Sequence, residues 1–148
     1  MTTSVSDLIQ PRYGLKVEVP LEPRVGASAR LGVGSYPTAH LDSVTLLVTG
    51  VQAVWYAAGH FARGLQVAAD VEYGHSWLAG DGIVGQGDRW RAALLLGAKW
   101  TGRRGVVAEA QFGAGGNWSQ VASQGGTLRT VESFTLEPRG DLRVGICF

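Results

Sequence analysis

The sequence predicts an all-β chain, an eight-stranded antiparallel up-and-down β-barrel. Three observations predict it. Apolar and polar residues alternate with period two over most of the chain, which puts one set on each face of a strand. The alternating segments are separated by breaks rich in Gly or Pro. The 148 residues make one domain and little else, so 1–148 reads as a single β domain with 1–11 as a flexible N-terminal segment.

The first predicted strand alternates Tyr13, Leu15, Val17, Val19 and Leu21 with Gly14, Lys16, Glu18 and Pro20. The second sets Val25, Ala27, Ala29, Leu31 and Val33 against Gly26, Ser28, Arg30 and Gly32. A third lies within 44–56, where the apolar parity changes near Gly50, from Val44, Leu46 and Val48 to Val51, Ala53 and Trp55; the change predicts a bulge. In the fourth, Leu65, Val67, Ala69, Val71 and Tyr73 oppose Gln66, Ala68, Asp70 and Glu72. In the fifth, Trp90, Ala92, Leu94, Leu96, Ala98 and Trp100 oppose Arg91, Ala93, Leu95, Gly97 and Lys99. The sixth sets Ala108, Ala110, Phe112 and Ala114 against Glu109, Gln111, Gly113 and Gly115. A seventh lies within 128–136; there Glu132 shares parity with Phe134 and Leu136, which asks for a bulge near Ser133 or a position at the rim. The eighth carries Leu142, Val144, Ile146 and Phe148 against Arg143, Gly145 and Cys147.

The connections sort by length. Short breaks at 22–24, 59–64, 101–105 and 137–141 read as hairpin turns, and three longer ones at 34–43, 75–88 and 117–127 read as loops. This reading places the short turns and both termini at one end and the three long loops at the other. Residues 43–62 carry no Lys, Arg, Asp or Glu and are long enough for a membrane helix, and Val51, Val54, Trp55 and Ala58 also fit helical spacing. Their β-branched and aromatic content favours a strand.

Composition narrows the function classes. Charged residues are only 17% of the chain, against about 25% in an average domain, and the net charge is +1. That leaves no electrostatic footprint for a nucleic acid. A single cysteine, Cys147, excludes an intrachain disulfide and a multi-cysteine metal site. Residues 1–10 lack the basic and apolar regions of a secretory signal, so either the protein is cytoplasmic or its export signal precedes Met1.

The occupants of the two faces decide which solvent each meets. One face is apolar; the other holds Lys16, Glu18, Arg30, Asp70, Glu72, Arg91, Lys99, Glu109 and Arg143. Five basic and four acidic groups nearly neutralise one another, which suits an ion-pair network inside a narrow barrel whose apolar face meets lipid. Trp90 and Trp100 share a parity and stand ten residues apart. At a tilt near 40° that separation is about 25 Å along the membrane normal, the height of a lipid-facing band. With these two, further aromatics divide between two girdles: Tyr13, Trp55, Phe61, Trp100 and Phe148 toward the short turns, and Tyr36, Tyr73, Trp77, Trp90 and Trp118 toward the long loops. Phe134 reads as mid-strand.

The final strand, Leu142-Arg143-Val144-Gly145-Ile146-Cys147-Phe148, ends on an aromatic with apolar residues at every second position. With Gly97-Ala98-Lys99-Trp100, a short Gly turn and the strand that follows, it resembles the small eight-stranded bacterial outer-membrane β-barrels of the OmpA/OmpX type. The resemblance covers nearly the whole chain and rests on architecture. It implies an integral outer-membrane protein without enzymatic activity or cofactor, surrounded by outer-membrane lipid. It also implies recognition of the C-terminal strand by the barrel-assembly machinery, and surface contacts through three long loops with a partner the sequence does not name.

Other chemistries find less support. Gly113, Gly115 and Gly116 have no following helix or Lys, so they do not make a phosphate loop. His40, His60 and His75 are scattered without metal-ligand spacing. His75 as base, Ser76 as nucleophile and Glu72 as orienting group would make a lipid A deacylase of the barrel rim, although neighbours along a strand point to opposite faces. The alternative of another class is a soluble lipocalin-like barrel with its apolar face turned inward around a hydrophobic ligand.

Overall fold

The computed structural model describes residues 2–4, 12–38, 41–80, 83–124 and 130–146. All regular structure in them is strand: β1 Thr2–Ser4, β2 Arg12–Glu22, β3 Val25–Thr38, β4 Leu41–His60, β5 Arg63–Gly80, β6 Ile83–Thr101, β7 Val106–Gln124 and β8 Thr130–Ile146. The seven long strands pair antiparallel, each with its sequence neighbour, in one up-and-down sheet. The short β1 pairs with β8 through Thr2↔Gly145, Thr3↔Val144 and Ser4↔Arg143, and meets β2 at Thr2↔Lys16. Residues 43–62, open to a helical reading in sequence, lie in β4 and the turn after it.

Three features differ from the sequence expectation. First, the predicted turn at 137–141 is strand, so the seventh and eighth predicted strands are one element, β8. Its register with β7 is unbroken from Val106↔Ile146 to Ala122↔Thr130, and there is no bulge at Ser133. Pro138 and Gly140 mimic a turn in sequence, but β8 has β7 along one side and only β1 described on the other. Both residues nonetheless pair in the ladder, at Ala114↔Pro138 and Phe112↔Gly140. The remaining strand is the N-terminal Thr2–Ser4, inside the segment expected to be flexible.

Second, the three predicted loops are largely strand. Ser35↔Thr45, Ser43↔Ala79, Gly80↔Ile83 and Val84↔Gln124 all pair in register. These stretches are rich in Gly, Ser, Thr and Gln on both faces, so the backbone ladder continues where the apolar alternation fades. Only 39–40, 81–82 and 125–129 separate the long strands there, and they lie outside the described residues.

Third, β4 has no bulge at Gly50. Val44, Leu46, Val48, Gly50, Gln52, Val54 and Tyr56 are all buried on one face, with the register irregularity at Tyr56/Ala58. Both faces of β4 are apolar in places, so hydrophobicity alone gives the wrong parity.

At the turn end the β2–β3 and β4–β5 hairpins are tied together. Tyr56 N donates to Arg24 O at 2.8 Å and Phe61 N to Pro23 O at 3.1 Å. Gly59 and Gly105 take positive φ, 92° and 74°, which other L-residues rarely adopt. Gly113 faces inward against β6, where a Cβ would collide with the Leu94 carbonyl oxygen.

Candidate functional site

Alternation sends two different populations of side chains to the two faces. Outward lie large apolar groups on every long strand, including Val17, Leu31, Val51, Leu65, Leu94, Phe112 and Leu142. Inward lie Lys16, Asp70, Glu72, Lys99, Glu109 and Arg143, all buried, with Glu18, Arg30 and Arg91 partly buried beside them. Leu94, Phe112 and Val144, which a lipocalin-like arrangement would gather in its interior, are each more than half exposed.

The interior charges form two groups. In the first, Lys16 Nζ lies 3.2 Å from Glu109 Oε2 and donates to Gln52 Oε1 at 2.9 Å. Gln52 donates to Gln111 at 2.9 Å, and both Gln111 and Gln66 donate to Glu109 Oε1, at 2.8 and 2.7 Å. Lys99 Nζ lies 3.0 Å from Glu18, which also accepts from Tyr56 Oη at 3.1 Å. Arg143 pairs with Asp141 and reaches Glu109 at 3.7 Å. Phe61 turns inward over this group, its ring 6.0 Å from that of Tyr56 and 4.0 Å from Lys99 Nζ. A cation over an aromatic face is held by the ring quadrupole.

The second group is an arginine cage around two carboxylates. Arg30 Nη2 donates to both oxygens of Asp70, at 2.7 and 2.6 Å, and lies 3.2 Å from Glu72. Arg139 reaches Asp70 and Glu72, each at 2.9 Å. Arg91 and Arg89 approach Glu72 at 3.4 and 3.7 Å, and Arg91 also reaches Glu137 at 3.4 Å. Burying such charges is prohibitive unless each is paired and hydrogen-bonded, and here opposite charges interleave across strands far apart in sequence.

All nine ionic residues singled out in the sequence therefore enter one of the two groups. Sequence reasoning missed Arg89, Glu137, Arg139 and Asp141, and the glutamine spacers Gln52, Gln66 and Gln111. Residues 137, 139, 141 and 143 share one parity, a signal hidden by reading 137–141 as a turn.

The aromatic rims are also rearranged. Tyr73, Trp90, Trp118 and Phe134 line up across β5–β8 through Tyr73↔Trp90, Trp90↔Trp118 and Trp118↔Phe134. Ring centroids are 4.9 Å apart for both Tyr73–Trp90 and Trp118–Phe134. Phe134 thus belongs to the rim away from the turns and is not mid-strand, because β8 extends through it. The register also moves Tyr13: it pairs with Val33 at the start of β2, opposite the β2–β3 turn, where Tyr36 pairs with Val44. Trp55 and Trp100 face outward toward the turn end, Trp77 outward toward the other. Phe148 and Cys147 lie outside the described residues.

Above Trp90, Tyr73 Oη donates to Asp88 Oδ1 at 2.5 Å, and His75 Nδ1 lies 2.7 Å from the same oxygen. These two partners hold the Asp88 carboxyl below its ordinary value. Ser76 Oγ donates to the Gly87 carbonyl at 3.1 Å and Glu72 sits in the arginine cage, so His75, Ser76 and Glu72 are not assembled as a hydrolytic triad. Asp88, Trp90, Trp118, Gln120 and Phe134 edge an open groove of about 570 Å³ on this rim. Among the described residues, no three His, Cys, Asp or Glu are grouped to hold a metal ion.

The fold and its faces thus define a class: an antiparallel up-and-down β-sheet protein with an ionic, hydrogen-bonded interior and an apolar exterior edged by aromatics. Comparison with protein-family models, curated proteins and solved structures finds no match for the chain.

Proposed function

We propose that this protein is an integral outer-membrane β-barrel of the OmpA/OmpX type, with β1 sealing the seam between β2 and β8 to make eight strands. The observation that carries the reading is the outward apolar face present on every long strand. A water-facing surface rarely holds a contiguous apolar patch of more than a few hundred Å², whereas a bilayer requires one. The aromatic rims stand where an amphipathic ring is at home, between acyl chains and headgroups. An eight-stranded barrel whose interior is filled by side chains offers no open diffusion path, so the role is structural or one of surface contact at the end away from the short turns. Outer-membrane lipid surrounds it, and the barrel-assembly machinery receives the C-terminal strand β8, through its last residues from Leu142 onward.

The test is insertion into phospholipid vesicles from urea. The folded chain is expected to migrate differently on a gel with and without boiling and to resist protease in vesicles. A monodisperse monomer in detergent-free buffer would overturn the proposal.

A further inference from the structure

The three short turns carry exposed arginines: Arg24 between β2 and β3, Arg63 at the start of β5, and Arg103 and Arg104 between β6 and β7. Glu22 is the acidic residue beside them, and none of the four has an ion-pair partner among the described residues. The turns are also held in place. Arg24 O accepts from Tyr56 N, and Gly105 N donates to Gly102 O at 3.0 Å. Next to them along the strands stand Trp55, paired with Val25, and Trp100, whose indole packs at Gly102.

We infer that this end is a docking surface for anionic phospholipid headgroups, with the arginine side chains at the level of the phosphodiesters and Trp55 and Trp100 just below them. The inference rests on the bilayer reading and adds to it the headgroup chemistry at the turn end. Unpaired guanidiniums are matched by phosphodiester oxygens, which accept two parallel N–H bonds from one Arg. The fixed turns present them together, without the ordering cost that flexible loops would carry.

The test uses the full chain with Trp77, Trp90 and Trp118 changed to Phe, so that Trp55 and Trp100 report on the turn end. The chain is placed in phosphatidylcholine vesicles containing either brominated phosphatidylglycerol or brominated phosphatidylcholine. Arginines near an anionic surface each favour it several-fold, so the relative affinity for phosphatidylglycerol at these indoles is expected to be about tenfold or more. It should fall toward one in the Arg24→Gln, Arg63→Gln, Arg103→Gln, Arg104→Gln variant. High salt should do the same to the parent chain, a control that does not depend on the variant folding. Equal quenching by the two lipids in the parent chain, or a preference that survives both treatments, overturns this inference and leaves the barrel reading intact. No quenching by either lipid overturns both.

Discussion

Along β6 the outward side chains Leu94 and Leu96 are about two-thirds exposed, at 67% and 65%, while Leu95 between them is buried at 2% and Arg91 and Lys99 turn into the ionic interior. Along β7, Phe112 stands out at 69% while Glu109 and Gln111 on the same strand are buried. One backbone thus carries an outer face that needs only to be apolar and an inner face in which each group depends on named partners. Substitutions on the inner face should therefore be judged by what they leave unpaired, and those on the outer face by what surrounds the protein.

The largest effect is expected inside. Glu72→Ala removes the carboxylate shared by Arg30, Arg91 and Arg139. Breaking a buried pair in this way costs about 3–5 kcal/mol, measured as a shift in urea unfolding of the vesicle-inserted chain. A neutral result would show that the cage is hydrated. On the outer face, Leu94→Arg should cost about 2–4 kcal/mol in a bilayer if Leu94 lies near the midplane, read in the same unfolding experiment. An exterior bathed in water would accept the arginine without loss, so this substitution tests what the outer face meets.

Gly113→Ala probes how closely β6 and β7 approach. The added methyl meets the Leu94 carbonyl, and an overpacked site of this kind typically loses about 1–3 kcal/mol, visible as a lower denaturation midpoint. The smallest effect is at the rim. The Asp88 pKa is depressed in the fold, so its contribution to stability is present above the ordinary carboxylate pKa and disappears as pH falls through the depressed value. Asp88→Asn should flatten that acid limb of a stability-against-pH curve and lower stability near neutral pH by the same small amount, since the side chain is about half exposed.

Much of this was legible in the chain itself. The strict alternation around Leu15–Lys16, Val71–Glu72 and Leu94–Leu95 marked the strands, and the near balance of Lys16, Asp70, Glu109 and Arg143 marked an inner face. What escaped had physical causes. Glu137-Pro138-Arg139-Gly140 has the composition of a turn, yet it continues the β7–β8 ladder without a break. Ser119 and Ser133, whose hydroxyls lie 2.7 Å apart, belong to ladders with polar residues on both faces, where hydrophobic periodicity has nothing to report. Thr2–Ser4 is too short to show any period, and β4 is apolar on both sides at once. The rim position of Phe134 and the shared arginine cage depend on register, which no single strand encodes alone.

The pairing of Thr3 with Val144 joins nearly the two extremes of the polypeptide. No fragment that stops short of the last strand can form it, however well its hairpins are made. A contact between strands so far apart in sequence closes late in folding, and until β8 is in place the hairpins before it carry their apolar outer faces without the last strand to join.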